Sequence, residues 1–140
     1  MKSKQKAGVS SYQLINIIIA GVIIAIFIYS GIFSSTQNSY PIQCVHQQLT
    51  GMSCPSCGLS RSFSEIVRLD FQAAAEWNKY GMRVFLFFFF QLIMRLSNIL
   101  YLRQASHNIK ALSRFDIAIS SLTFLLAFWQ FLEYNIRLIF

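Results

Sequence analysis

The sequence is short of charge, and shortest of acid. Only 12% of its residues are charged and just five of 140 are Asp or Glu, where a soluble domain carries about 25% charged residues. Five acids with no two forming a recognisable catalytic pair leave little material for hydrolytic chemistry. The six glycines include no Gly-rich phosphate loop, and no Ser/His/Asp set stands out, so nothing points to a nucleotide enzyme or a serine hydrolase. Internal repeats and low-complexity segments are absent as well. No thioredoxin-like βαβ pattern surrounds the cysteines.

What fills the chain instead is apolar. It is 55% hydrophobic and 16% aromatic, with a mean hydropathy of +0.50. This composition places most of a single 140-residue domain in a lipid bilayer. The net charge of +7 does not indicate a nucleic-acid partner, because the basic residues stand at the ends of apolar runs and not on one solvated face. Lys2, Lys4 and Lys6 precede the first run, and Arg103, Lys110 and Arg114 lie between the last two. Such flanking charge is the mark of membrane spans.

A helix needs about 20 apolar residues to cross about 30 Å of hydrocarbon. Three segments meet that length, at about residues 13–33, 81–102 and 115–134. The first is too long for the 7–15-residue apolar core of a cleaved signal peptide and lacks its small-residue cleavage site. The second holds Phe85 to Phe90, broken only by Leu86, and is interrupted by Arg95. Arg95 lies about 12 Å along the helix from Arg103. It either snorkels to the near surface or is an intramembrane charge paired with Asp116 or with an acid on a partner protein. Ser113 and Asp116 form a capping-box pattern at the start of the third span, and Glu133 and Arg137 are spaced to pair near its end. The short, acid-free basic connection between the last two spans favours a cytoplasmic N-terminus and an extracytoplasmic loop 34–80.

That loop carries the polar chemistry. Tyr40–Pro41 opens a short extended piece that contains Cys44 and His46, Gly51 breaks the chain, and Cys54-Pro55-Ser56-Cys57-Gly58 follows. Leu59, Phe63, Ile66 and Val67 then fall on one helical face, with Ser60, Arg61, Ser64, Glu65 and Arg68 on the other. Ser62 and Glu65 are spaced as a second capping box. Asp70 is placed to N-cap another short helix from Phe71 to about Asn78, and Trp77 and Tyr80 suit the membrane interface. The expected fold is therefore an all-α membrane protein with three transmembrane helices and two short amphipathic interfacial helices between the first and second.

Cys44, the Leu49-Thr50-Gly51 turn, Cys54-Pro55-Ser56-Cys57-Gly58-Leu59-Ser60-Arg61, then Asp70-Phe71, an Ala run and Asn78 together resemble the bacterial membrane-protein family called domain of unknown function 2752. The resemblance covers roughly residues 40 to 100. This chain departs from the family pattern with Val45 where the family tends to have Pro, and with Asn78-Lys79 where it tends to have Asn-Pro. The resemblance implies a small multi-pass bacterial protein of the cytoplasmic (inner) membrane and supplies no reaction.

Three readings of the cysteines stay open. Outside the membrane, thiols oxidise, and one disulfide from Cys44 to Cys54 or Cys57 would close a loop worth roughly 2–4 kcal/mol. A zinc knuckle would draw on Cys44, Cys54 and Cys57 with His46 as the nearest fourth ligand, although a Cys-x-His step is tight for two ligands of one tetrahedral ion. Thiol–disulfide exchange would use Cys54 to attack and Cys57 to resolve at a helix start, with Cys44 as relay. Arg61, one turn beyond Cys57, is either a surface charge or a fixed cation for a thiolate or an anion. The expectation is a non-enzymatic accessory or assembly subunit of a bacterial membrane complex, with lipid and other membrane subunits as partners. A membrane thiol oxidoreductase or metal-binding protein is the alternative.

Overall fold

The computed structural model describes residues 2–33, 55–104 and 109–139. All regular structure among these residues is helical. In chain order, α1 runs Lys2–Ile32, α2 Leu59–Val67, α3 Phe71–Trp77, α4 Gly81–Gln104 and α5 Ile109–Ile139. Three helices are long and apolar enough to cross a membrane, over Ser11–Ile32, Gly81–Leu102 and Ile109–Arg137. The chain is an all-α, three-span membrane protein, and the described residues between its first and second spans form two short helices.

The spans meet along narrow stripes. On α1 the buried residues are Asn16, Ala20, Ile23 and Ser30, with half-buried Phe27 completing the series. On α4 they are Gly81, Val84, Gln91, Arg95, Asn98 and Leu102, with half-buried Phe88 between. The steps alternate between three and four residues, the 3.5-residue period of a coiled-coil seam. Off the seam, large apolar side chains face outward: Leu14, Ile18, Val22 and Ile28 on α1, Leu86, Ile93 and Leu100 on α4, and Phe115, Ile117, Leu122, Leu126 and Trp129 on α5 are exposed. In a bilayer these side chains lie in a solvent as apolar as themselves, so their exposure carries no penalty.

The third span does not start at a capping box. α5 begins at Ile109, so Ser113 and Asp116 lie inside the helix, and Asp116 is buried and paired with Arg95 of α4 instead of turning back to a helix end. At the far end Glu133 and Arg137 do pair, Arg137 Nη2 donating to Glu133 Oε1 over 2.5 Å.

The short helices dock on the spans. Phe63 and Ile66 of α2, Ala74 of α3 and Val84 of α4 form one buried cluster, with Phe85, Phe88, Phe128 and Phe131 packed around it. Phe63 meets Phe85 edge-on at 5.4 Å between ring centres, a favoured aromatic geometry. The Phe85–Phe90 run is thus divided: Phe85, Phe87 and Phe88 pack inward, while Phe89 and Phe90 are exposed. The expected polar face of α2 is corrected too. Ser64 and Glu65 are buried and Val67 is exposed, because α2 lies against the end of α1 and uses Ser64 to reach it. Ser62 does not cap the helix either, since Gly58 is the N-cap and Ser62 is wedged against Gly81.

Candidate functional site

Two polar constructions stand at opposite ends of the bundle. The first holds the cysteine motif. Gly58 adopts φ 75°, a left-handed conformation that L side chains rarely take, and a Cβ there would sit 2.5 Å from the Trp77 carbonyl oxygen. The turn Pro55–Gly58 is clamped by one side chain: Asn78 Nδ2 donates to the carbonyls of Pro55 at 2.7 Å and Cys57 at 2.9 Å. Its Oδ1 accepts from the Tyr80 amide at 2.8 Å. Asn78 therefore ties the motif directly to the start of α4. Asp70 caps α3, accepting from the Ala73 amide at 3.0 Å.

α2 is pinned to the end of α1 from the other side. Ser64 Oγ donates towards the carbonyls of Ser30 at 2.9 Å and Phe33. Arg68 donates to Gly31 O at 3.2 Å and to Phe33 O at 3.5 Å. The last carbonyls of a helix have no partner within it, and a cation there also meets the negative end of the helix dipole. Arg68 supplies both.

Of the expected site residues, Cys57 is half-buried at the mouth of α2. The Arg61 guanidinium lies over the Trp77 ring, 4.5 Å from its centre, a cation–π contact. Cys44, His46 and Cys54 lie outside the described residues, as does the extended piece around them. Among the described residues no three His, Cys, Asp or Glu side chains converge.

The second construction lies inside the membrane span. Arg95 forms an ion pair through Nη1 with Asp116 Oδ2. Nη1 also donates to Asn16 Oδ1 at 3.0 Å, and Nη2 donates to Gln91 Oε1 at 3.1 Å and Ser120 Oγ at 3.0 Å. Tyr12 OH donates to Asp116 Oδ2 at 2.7 Å and accepts from Asn98 Nδ2 at 3.2 Å. Gln91 Nε2 reaches Thr123 Oγ1 at 3.3 Å. Arg95 and Asp116 are 7% and 4% exposed, so the charges are shielded from lipid by this ring of amides and hydroxyls. The pair is intramolecular, and α1, α4 and α5 all contribute to the network around it.

Residues 44–92 match the family described as Protein of unknown function (DUF2752). The match takes in the cysteine motif, α2, α3 and the first half of α4. It stops short of Arg95 and does not reach Tyr12, Asn16 or Asp116. No curated protein and no solved structure matches the chain.

Sequence reasoning named Arg95 and Asp116 but passed over Tyr12, Asn16, Gln91, Asn98, Ser120 and Thr123 as members of one network. Their signal was present. Gln91, Arg95 and Asn98 fall at three- and four-residue steps, as do Asp116, Ser120 and Thr123. Polar residues on one stripe of an apolar helix face a bundle interior. Asn78 and Arg68 gave no such signal, because each acts on a segment distant in the chain.

Proposed function

We propose that this protein is a non-enzymatic accessory or assembly subunit of a bacterial cytoplasmic-membrane complex, with a cytoplasmic N-terminus and a structural cysteine segment on the extracytoplasmic side. The observation that carries the reading is the surface of α5. This helix is the least buried of the three spans. It touches α4 through the polar network and through Phe87, whose ring lies 5.5 Å from that of Phe128; Phe128 in turn stacks on Phe124 at 4.7 Å. The rest of the helix presents Phe115, Leu122, Leu126 and Trp129 outward. A helix held on one seam in this way offers a rigid face to a neighbour, and the Arg95–Asp116 pair fixes its rotation.

The test is a photo-reactive residue at Leu126, with Ile18 on α1 as control, irradiated in native membranes. A discrete protein adduct at Leu126 and not at Ile18 supports the subunit role. Lipid adducts alone at both positions sink it.

A second reading, thiol–disulfide exchange or metal binding at Cys44, Cys54 and Cys57, is favoured by the turn that Asn78 clamps. It holds Cys57 just ahead of a helix N-terminus, where negative charge is stabilised, with Arg61 one turn beyond. Labelling intact cells with a membrane-impermeant maleimide before and after mild reduction separates the readings. A bond that resists mild reduction fits the structural role, whereas thiols that cycle replace it with the redox one. Labelling that appears only after lysis overturns the proposed orientation.

A further inference from the structure

A cleft of about 410 Å³ opens between the first turns of the membrane-spanning parts of α1 and α5. Its walls carry Lys110, Ser113 and Arg114 from α5 and Ser11, Tyr12 and Ile15 from α1. Lys110 and Arg114 are four residues apart and so project from one face of the helix. Both are exposed. Of the five acids in the chain, Asp116 is committed to Arg95 and Glu133 to Arg137, and among the described residues none forms an ion pair with Lys110 or Arg114. The cleft thus gathers two uncompensated cations and three hydroxyls.

Its depth is equally informative. The apolar spans begin at Ser11 and at Ile109, so the cleft lies within the first turns of two membrane helices, level with the boundary between headgroups and acyl chains. Ile15, 52% exposed, continues its wall towards the hydrocarbon. A basic, hydroxyl-lined mouth above an apolar wall matches a phosphate joined to an acyl chain. Tyr12 connects the cleft to the interior, since it lines the opening and donates its hydroxyl proton to Asp116.

We infer that this cleft is a binding site for the phosphate of an anionic phospholipid, held by Lys110 and Arg114 with the Ser113 hydroxyl beside them. The occupant braces α1 against α5 at the end of the bundle where the buried ion pair lies. The site is independent of the partner face proposed for α5, whose Leu126 lies nearer the middle of the span.

The experiment is native mass spectrometry of the full chain in detergent, titrated separately with phosphatidylglycerol, phosphatidylcholine and inorganic phosphate. The wild type is expected to retain one phosphatidylglycerol in preference to phosphatidylcholine. Lys110→Gln with Arg114→Gln is expected to weaken that binding about 30-fold, or about 2 kcal/mol at 1.4 kcal/mol per tenfold. Ile15→Trp fills the acyl side of the cleft without altering charge and is expected to reduce binding as well. Lys110→Arg with Arg114→Lys keeps both charges and retains it. Equal retention of both lipids, or loss under about threefold in the neutral variant, overturns the site. Displacement of the lipid by millimolar inorganic phosphate overturns the lipid as occupant and makes a soluble phosphate the ligand.

Discussion

Replacing Asp116 with Leu removes the carboxylate paired with Arg95 and strands a buried guanidinium. Breaking one side of a buried pair costs about 3–5 kcal/mol. The lower end applies here, because in the unfolded-in-membrane state Arg95 is only about 10 Å of helix from Leu102 and can snorkel to the surface. Arg95→Met should cost a similar amount, since it leaves Asp116 with Tyr12 as its remaining partner and strips Asn16, Gln91 and Ser120 of a donor. The double variant should be far milder than the sum of the two singles. With both charges gone, the loss is confined to hydrogen bonds between helices, which average about 0.6 kcal/mol each in a membrane, or roughly 2 kcal/mol for the three that cross helices, Arg95 to Asn16 and to Ser120 and Tyr12 to Asp116. The assay is unfolding in mixed micelles followed by helical circular dichroism, run as a double-mutant cycle. A coupling of about 4 kcal/mol is expected. Additive single variants, or singles that each cost less than about 1 kcal/mol, would falsify the pairing.

The remaining predictions concern the cysteine end. Gly58→Ala should destabilise by about 2–3 kcal/mol, from the left-handed conformation and the close Trp77 carbonyl, read by the same unfolding assay. Asn78→Ala releases the carbonyls of Pro55 and Cys57 and should raise the alkylation rate of Cys57 at least tenfold, at about 1.4 kcal/mol per tenfold in local opening; an unchanged rate would show that the clamp does not hold the turn. Leu69 has φ 65° at the end of α2, where the Asp70 amide bonds to Glu65 O and the Leu69 amide to Ile66 O, a Schellman ending that prefers Gly. Because Leu69 is 75% exposed, Leu69→Gly should stabilise the protein by about 1 kcal/mol, and a loss of stability would mean that its side chain packs against something.

The spans were legible in the sequence because length and hydropathy are local properties: Gly81 to Leu102 stands out by apolarity alone. Asp70 was legible as an N-cap for the same reason, since an N-cap acts on an amide three residues away. The false capping boxes at Ser62–Glu65 and Ser113–Asp116 show the limit of that logic. The spacing is local, but whether those side chains turn back to a helix end depends on what else claims them. Gly81 claims the space around Ser62, and Arg95 claims Asp116. Arg68 and Asn78 were illegible for the converse reason. Arg68 bonds the end of α1, some thirty-five residues earlier in the chain, and nothing in its own neighbourhood announces that target.

The choice of polar groups for the seam follows from the solvent. Lipid tails give apolar helices no preference for one another over the bilayer, so a stripe of Leu on α4 would leave its rotation and register against α1 and α5 weakly defined. Arg95 changes this, because a charge at that depth is tolerated only where it is neutralised and hydrogen-bonded. Its two terminal nitrogens find acceptors on all three spans, Asn16 on α1, Gln91 on α4, and Asp116 and Ser120 on α5. A slip of α5 by one residue would turn Asp116 off the seam by about 100° and strand both charges. The register set at that end continues to the other, where Val84 and Phe88 on the α4 stripe meet Phe63 of α2. The position of the cysteine turn against the spans thus depends on an ion pair buried towards the other end of the bundle.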